Sequence, residues 1–183
     1  MRAAGAVAVG VLLASLATAA PLDPNQERRV EMGTGWFRGM LTADVDIEKK
    51  TMPDGRLLVV FIYIEDGRRA RDVAKAFAEG APIRKHPVVA EAVAEKDLAS
   101  YTAVPAGVFL VQPPETRSLR SIVDFGRARR ILVYSPFEGH VEEGVPGGLA
   151  VEAQVRAFIN EKALAASQIT LKDLFLQAAK VHR

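Results

Sequence analysis

The chain has 183 residues, of which 49% are hydrophobic and 25% are charged, as in an ordinary globular protein, and this indicates one domain. The formal net charge of +2 gives no general attraction to nucleic acid. The absence of cysteine excludes disulfides, thiol catalysis, thiolate metal sites and a lipid-modified N-terminal Cys.

Residues 1–19 have the pattern of a secretory signal peptide. Arg2 precedes an apolar run, and Ala-Thr-Ala at 17–19 supplies the small side chains that a signal peptidase requires. The alternative is a retained membrane anchor, because residues 3–20 carry no charge and are nearly long enough to span a bilayer. We expect cleavage, and therefore an exported protein.

Residues 20–40 are expected to be a lead-in before the folded domain. The glycines within residues 33–35 should interrupt any helix, although Trp36 and Phe37 require burial. Apolar and polar residues then alternate over residues 41–47, which predicts a strand with one buried face.

The middle of the chain alternates between predicted strands and helices. Residues 57–64 are almost continuously apolar, as in a strand that is covered on both faces. Asp66 can cap a following helix, and Gly80 ends it. Residues 87–94 fit a helix or a strand, and we favour a strand because Pro87 disfavours helical geometry at the residue before it.

Further strands are predicted at residues 107–111, 131–134, 149–151 and 155–159. A helix between the first two should begin at Thr116 as its N-cap. The last helix should begin at Thr170, with Ile169 and Leu174 spaced as a hydrophobic staple. Its expected buried stripe comprises Leu171, Leu174, Phe175, Ala178 and Ala179.

This order of elements predicts a single α/β domain over residues 41–183. The sheet should be mostly parallel, with helices on both of its faces, because buried strands alternate with amphipathic helices.

The search for catalytic and metal-binding motifs gives only weak signals. No serine lies in a Gly-x-Ser-x-Gly elbow, and the three histidines are expected at the surface. A hydrolase would need His86 or His140 beside a serine and an acid. His140 also lies near three loop glutamates, but a solvated acidic loop is preferred to a divalent-ion site.

Two arginine clusters, at residues 68–71 and 127–130, could contact phosphates or an acidic partner. The predicted export argues against nucleic acid, and we favour a solvated helix face or a docking patch.

The segment GVPGGLAV at residues 144–151 invites a phosphate-loop interpretation. A P-loop needs Lys and then Ser or Thr after its last glycine, whereas Leu149 follows Gly148 here. We therefore predict a turn that leads into a strand.

The C-terminal third resembles the YfiR-like periplasmic proteins. The resemblance rests on the order of ILVYS at 131–135, Gly-Gly at 147–148, Phe-x-Asn at 158–160, an Ala-rich turn at 163–166 and a final leucine-rich helix. Val88-Val89, the strand GVFLV and the helix around residues 119–123 also follow the expected order, so the resemblance covers residues 82–181.

The resemblance implies a periplasmic regulator, not an enzyme, that binds an inner-membrane signalling protein and holds a diguanylate cyclase inactive, which restrains cyclic di-GMP and biofilm growth. Such a regulator acts by binding one state of its partner better than the other. The chain departs from the family in two respects. Its first segment contains glycines where the family has an amphipathic helix, and it lacks the redox-linked cysteines. The partner could therefore be a cyclase, a sensor kinase or another receptor.

We therefore expect a periplasmic regulatory binding protein without catalytic residues, cofactor, metal or nucleic acid. The alternative is a small-molecule-binding protein that serves a transporter or a sensor kinase. Phe137, His140 and Pro146 are candidate partner-binding residues because they lie in a loop that should be exposed. Oligomeric state stays open between a monomer and a homodimer.

Overall fold

The computed structural model describes residues 23–183, so the predicted signal peptide and its anchor alternative lie outside the described residues. The α/β class is confirmed. The helices are α1 (Pro24–Ala43), α2 (Gly67–Glu79), α3 (Thr116–Arg129), α4 (Glu161–Ala166) and α5 (Asp173–Ala178). The strands are β1 (Leu57–Tyr63), β2 (Val88–Ala94), β3 (Gly107–Leu110), β4 (Leu132–Ser135), β5 (Gly147–Val151), β6 (Val155–Asn160) and β7 (Lys180–His182).

The seven strands form one sheet in the order β2-β1-β3-β4-β5-β6-β7. The first five strands in chain order run parallel to one another. β6 pairs antiparallel with β5, and β7 pairs parallel with β6. The sheet is therefore mostly parallel, as predicted, and its direction reverses once, at the β5–β6 hairpin.

Helices cover the two faces of the sheet. Phe37 of α1 meets three rings on one face: its centroid lies 5.6 Å from that of Phe77 in α2 and 5.5 Å from those of Phe109 and Tyr134. Neighbouring strand residues point to opposite faces. Accordingly, α3 packs on the other face, where Gly126 lies against Val133.

The predictions of an interrupted helix at residues 33–35 and of a strand at residues 41–47 are wrong. α1 runs through the glycines without interruption and buries Phe37, Met40 and Leu41 against the sheet. It thus covers most of the expected lead-in, and a short 3-10 turn at Ile47–Lys50 replaces the end of the expected strand. Gly33 is needed inside the helix because a Cβ there would lie 2.9 Å from Cβ of Pro136.

The central predictions are confirmed. The Asp66 side chain accepts a hydrogen bond from the backbone N–H of Arg69 (3.0 Å) at the start of α2, and Gly80 is the C-cap of that helix. Residues 88–94 form a strand, which resolves the ambiguity at that segment. β1, β3 and β4 fall within one or two residues of the predicted strands.

The predicted helix starts are wrong in two places. Thr116 is the first residue of α3, and Glu115 is its N-cap. Thr170 does not begin the last helix, because Leu171 forms a bridge with Asp44 and α5 starts only at Asp173. α5 contains six residues and buries none of them, and Leu174 is 80% exposed, so it makes no staple.

Within residues 23–183, no helix is both long enough and apolar enough to cross a membrane.

Candidate functional site

The usual ligand position of an open α/β sheet is closed in this protein. Such ligands bind at the carboxyl ends of the strands where the strand order reverses, here between β1 and β3. Gln112, which follows β3 and is 7% exposed, fills this place. Its Oε1 accepts hydrogen bonds from the backbone N–H groups of Ile64, Glu65 and Asp66 at 2.9–3.0 Å. The amides that could bind an anion are therefore satisfied by the protein itself.

The three residues proposed from the sequence as an exposed binding loop are buried, so that part of the prediction is wrong. Phe137 is 5% exposed and His140 8% exposed, with ring centroids 5.8 Å apart. Pro146 is also buried, and its carbonyl accepts a hydrogen bond from the N–H of Asn160 (3.1 Å). The structure brings the three residues into one folded loop, where they support the loop rather than present a surface.

His140 lies beside a serine, contrary to its expected surface position. Its Nδ1 is 2.7 Å from Oγ of Ser135, which also accepts a hydrogen bond from the N–H of Phe137 (3.3 Å). The tautomer of the imidazole sets the direction of this bond, because a hydroxyl group can either donate to Nδ1 or accept from it. Burial lowers the pKa of His140, and the nearby Glu143 opposes that shift only in part.

This pair does not have the geometry of a catalytic triad. Ser135 has no exposed surface, and no carboxylate among residues 23–183 hydrogen-bonds to the imidazole. The same part of the chain contains no group of three or more His, Asp or Glu side chains placed to hold a metal ion. The pair is explained by its structural role in the loop.

The Gly-Gly dipeptide is part of strand β5 and not of a phosphate loop. Gly147 and Gly148 pair with Tyr134 and Ser135 of β4. A Cβ on Gly148 would lie 2.7 Å from the carbonyl oxygen of Ser135 and 2.5 Å from a methyl group of Val141. Glycine is needed because the loop folds directly onto the strand.

Three arginines of the two clusters make contacts within the protein. The guanidinium of Arg69 binds Glu27 of α1 at 2.8 Å. That of Arg129 lies 4.1 Å from the centroid of the Phe125 ring, and that of Arg127 lies 3.4 Å from Asp124. These contacts favour a structural role, consistent with the preference for a solvated helix face.

A cavity of about 670 Å³, which we call the C-terminal cavity, lies beside β6 and β7. Seven apolar side chains line it: Ile159, Leu164, Ala165, Ile169, Leu171, Leu176 and Val181. Volumes of about 300–1,000 Å³ with a mainly apolar lining are typical of small-molecule sites. This cavity was not predicted, because Leu171 was assigned to the buried stripe of a longer helix and Ile169 to its hydrophobic staple.

Two short helices form opposite walls of the cavity, and a side chain caps the first of them, α4. Asn160 caps α4 by accepting a hydrogen bond from the N–H of Ala163 (2.9 Å), and its amide group donates to the carbonyl of Val141 (2.8 Å). After α4, the chain turns back because the N–H of Ile169 bonds to the carbonyl of Leu164 (3.0 Å). The wall formed by α4 is thus tied to the sheet, whereas α5, which has no buried residue, forms the opposite wall.

Charged groups lie around the mouth of the cavity. Glu161 and Asp173 provide carboxylates, and Arg183 provides a guanidinium whose Nε is 3.8 Å from Glu161. Both members of this ion pair are well exposed, so they interact weakly and remain available to a ligand. The arrangement suits a molecule with an apolar body and a polar or charged end.

Comparison of the sequence with protein-family models and with curated proteins gives no match. Solved structures with the same fold include an ABC domain from Streptococcus pneumoniae in complex with L-Trp (14% identity, TM-score 0.51). Others are a conserved domain protein from Vibrio cholerae (13%, 0.53) and a substrate-binding protein with adhesive properties from Clostridium difficile in its ligand-free, open form (14%, 0.51).

The Streptococcus pneumoniae match covers 78% of this chain and 62% of that protein. The Vibrio cholerae match covers 76% and 58%, and the Clostridium difficile match covers 76% and 59%, respectively. The chain thus spans about three fifths of the length of each. At these identities the similarity establishes the fold, which is an α/β fold that substrate-binding proteins also use.

Proposed function

We propose that the protein is a periplasmic binding protein, without catalytic activity, that takes a small molecule in the C-terminal cavity. The cavity is the observation that carries the proposal, because its size and apolar lining are those of a ligand site. The fold it shares with a substrate-binding protein and with a domain that holds L-Trp supports the same function.

The position of the cavity also supports this proposal. Gln112 closes the switch point between β1 and β3, where ligands of open α/β sheets usually bind. The C-terminal cavity, in contrast, has exposed charged groups at its mouth and no side chain that fills it. Binding there would bury the part of the Leu176 side chain that the folded chain leaves exposed.

Thermal unfolding of the mature protein with a library of small molecules tests the proposal. The library should include L-Trp and other compounds that join an apolar body to a charged end. A ligand that binds only the folded state raises Tm, by an amount that grows with its concentration relative to Kd. Isothermal titration then gives the affinity of each hit.

Two tryptophan substitutions on α5 locate the site. Leu176→Trp places a ring in the cavity, whereas Leu174→Trp places the same ring on an exposed position two residues away. We expect Leu176→Trp to abolish the Tm increase and Leu174→Trp to leave it unchanged. Equal binding by both variants would place the ligand elsewhere, and a library without any hit would count against small-molecule binding.

The second candidate function is the regulation of an inner-membrane signalling partner, as the YfiR-like resemblance implies. The elements that carry the resemblance occur in the expected order, from β4 through the Gly-Gly of β5 and the Phe-x-Asn of β6 to α4 and α5. The first helix is continuous, although its glycines were expected to interrupt it. Leu174 provides an exposed apolar contact for a partner.

A cellular test separates the two candidates. Under the regulatory function, deletion of the gene should raise cyclic di-GMP, and a gene carrying Leu174→Glu should fail to restore the original level. A gene carrying Leu176→Trp should restore the original cyclic di-GMP level if regulation does not depend on a ligand in the cavity. Failure to restore that level would indicate that a ligand in the cavity controls the partner. Unchanged cyclic di-GMP in the deletion strain would argue against a cyclase as the partner.

A further inference from the structure

Strand β2 lies at the edge of the sheet, and within residues 23–183 one side of its backbone has no partner strand. On its other side it pairs with β1, and the N–H of Leu57 donates to the carbonyl of Pro87 at 2.9 Å. Backbone groups in a strand alternate between its two sides. Val88, Ala90 and Ala92 therefore turn their N–H and C=O groups outward, away from the sheet.

This edge lacks the features that usually prevent strands from pairing between molecules. Native edge strands carry lysines, prolines or bulges, or are very short. β2 has seven residues, VVAEAVA, with neither lysine nor proline, and it pairs without a bulge along the whole of β1. Its one charged residue, Glu91, accepts a hydrogen bond from the hydroxyl group of Tyr101 in the same chain (2.8 Å).

Helix α2 lies above this edge and forms a shallow groove with it. Small side chains line the groove, among them Ala74 and Ala78 of α2 and Ala90 of β2. Arg71 and Glu79 lie at its two ends, eight residues apart along the helix. Small residues allow two helices to approach to about 8 Å, so a second helix could lie beside α2.

We propose that β2 pairs antiparallel with β2 of a second copy of this chain, about a two-fold axis at Ala90. In this register Val88 of one copy lies opposite Ala92 of the other, and each such pair exchanges two N–H···O=C bonds. The residues that pair are the same ones whose backbone groups turn outward. The outward N–H and C=O groups of the two copies therefore match each other in this register.

The charges on α2 favour a second copy over an unrelated extended peptide. The two-fold axis reverses the direction of α2, so Arg71 of one copy faces Glu79 of the second copy at both ends of the groove. The two copies of Lys75 would lie near the axis and repel each other. Within each copy, Glu79 lies 3.9 Å from Lys75 and reduces this repulsion. An extended peptide would fill the strand edge but would leave these complementary charges unused.

Sedimentation equilibrium of the mature protein tests the proposal. We expect the wild type to be a dimer. Ala90→Pro removes an outward N–H and is compatible with an edge strand, so this variant should be a monomer with an unchanged circular dichroism spectrum. Arg71→Glu and Glu79→Arg should each raise the dimer Kd about tenfold or more, and the double variant should recover most of the wild-type affinity.

Arg120→Glu on the exposed side of α3 makes the same charge change far from the groove and should leave the dimer Kd unchanged. A wild-type chain that stays monomeric at the highest concentration reached would overturn the proposal. So would an Ala90→Pro dimer, or charge reversals that weaken the dimer without rescue in the double variant. Because the charge variants do not touch the strand, they test the interface even where the proline variant folds poorly.

Discussion

Removal of the Gln112 side-chain amide should destabilise the turn between β1 and α2. Three backbone N–H groups donate to this one oxygen, at 2.9 Å from Ile64 and at 3.0 Å from Glu65 and Asp66. Gln112→Leu keeps a side chain of similar size but leaves these donors without their acceptor. At about 1 kcal/mol for each hydrogen bond, the expected loss is about 3 kcal/mol. Water can replace part of the loss because the turn is partly exposed.

Urea unfolding followed by circular dichroism and by the fluorescence of Trp36, the single tryptophan, measures this free energy. Coincident transitions from the two probes would justify a two-state analysis. Gln112→Glu is the matched control, since a carboxylate oxygen can accept from the same donors. Convergent N–H groups favour an ionised carboxylate, so the pKa of the introduced Glu should fall. Its stability should therefore match or exceed that of the wild type at neutral pH, and the advantage should disappear as pH falls through the lowered pKa.

A second variant tests whether Gln112 occupies an anion site. Gln112→Ala opens space in front of the three amides, which sulfate or phosphate could then fill. Either anion should raise the Tm of this variant more than that of Gln112→Leu, where the side chain still fills the space. A Gln112→Leu variant within about 0.5 kcal/mol of the wild type would refute the argument, because the three amides would then not depend on Oε1.

Three further predictions concern the loop after β4 and the end of α1. Burial lowers the pKa of His140, so the free energy of unfolding should fall as the pH drops below the ordinary histidine pKa of about 6.5. In urea titrations between about pH 8 and pH 5, His140→Gln should lose less of this free energy than the wild type. Gly148→Ala should cost about 2–3 kcal/mol, measured in the same way, because its Cβ would meet the carbonyl oxygen of Ser135; full stability would mean that the loop can move away. The carboxylate of Asp44 is 1% exposed and lies 2.6 Å from the ammonium group of Lys50. Lys50→Met removes this cation and should lower the free energy of unfolding by about 3 kcal/mol, whereas Lys50→Arg should retain most of the stability.

The sequence was sufficient for the parts of the fold that local patterns determine. Residues 57–64 were assigned to a buried strand from their composition alone, and the cap at Asp66 and the stop at Gly80 were read correctly from residue type. The α/β class followed from the alternation of such segments. These signals are reliable because a strand covered on both faces must be apolar and a helix end must satisfy its free backbone groups.

The errors occur where tertiary contacts override local preference. Glycine lowers helix propensity by about 1 kcal/mol per residue, which is why residues 33–35 were expected to end the helix. The packed structure offsets that cost, since Gly33 allows α1 to approach Pro136 while Phe37 enters a cluster of aromatic rings. No local pattern shows that a glycine will face another segment at close range. The loop after β4 was misjudged for a similar reason, because its acidic residues suggested exposure whereas Phe137 and His140 point inward.

The misassigned C-terminal segment also identifies the candidate site. A continuous helix from Thr170 would have buried its leucines against the sheet, and this packing would have filled the space beside β6. Instead, the bridge between Leu171 and Asp44 holds the start of the segment against the end of α1, and β7 holds its far end against β6. Between these two attachments, α5 buries Phe175 and Leu176 only in part and leaves Leu174 80% exposed. Because apolar surface in water is unfavourable, a ligand or partner that covers α5 would gain free energy that the folded chain leaves unused. At Gln112, in contrast, three backbone N–H groups of the turn are already satisfied by its side chain, and we therefore propose binding at the C-terminal cavity.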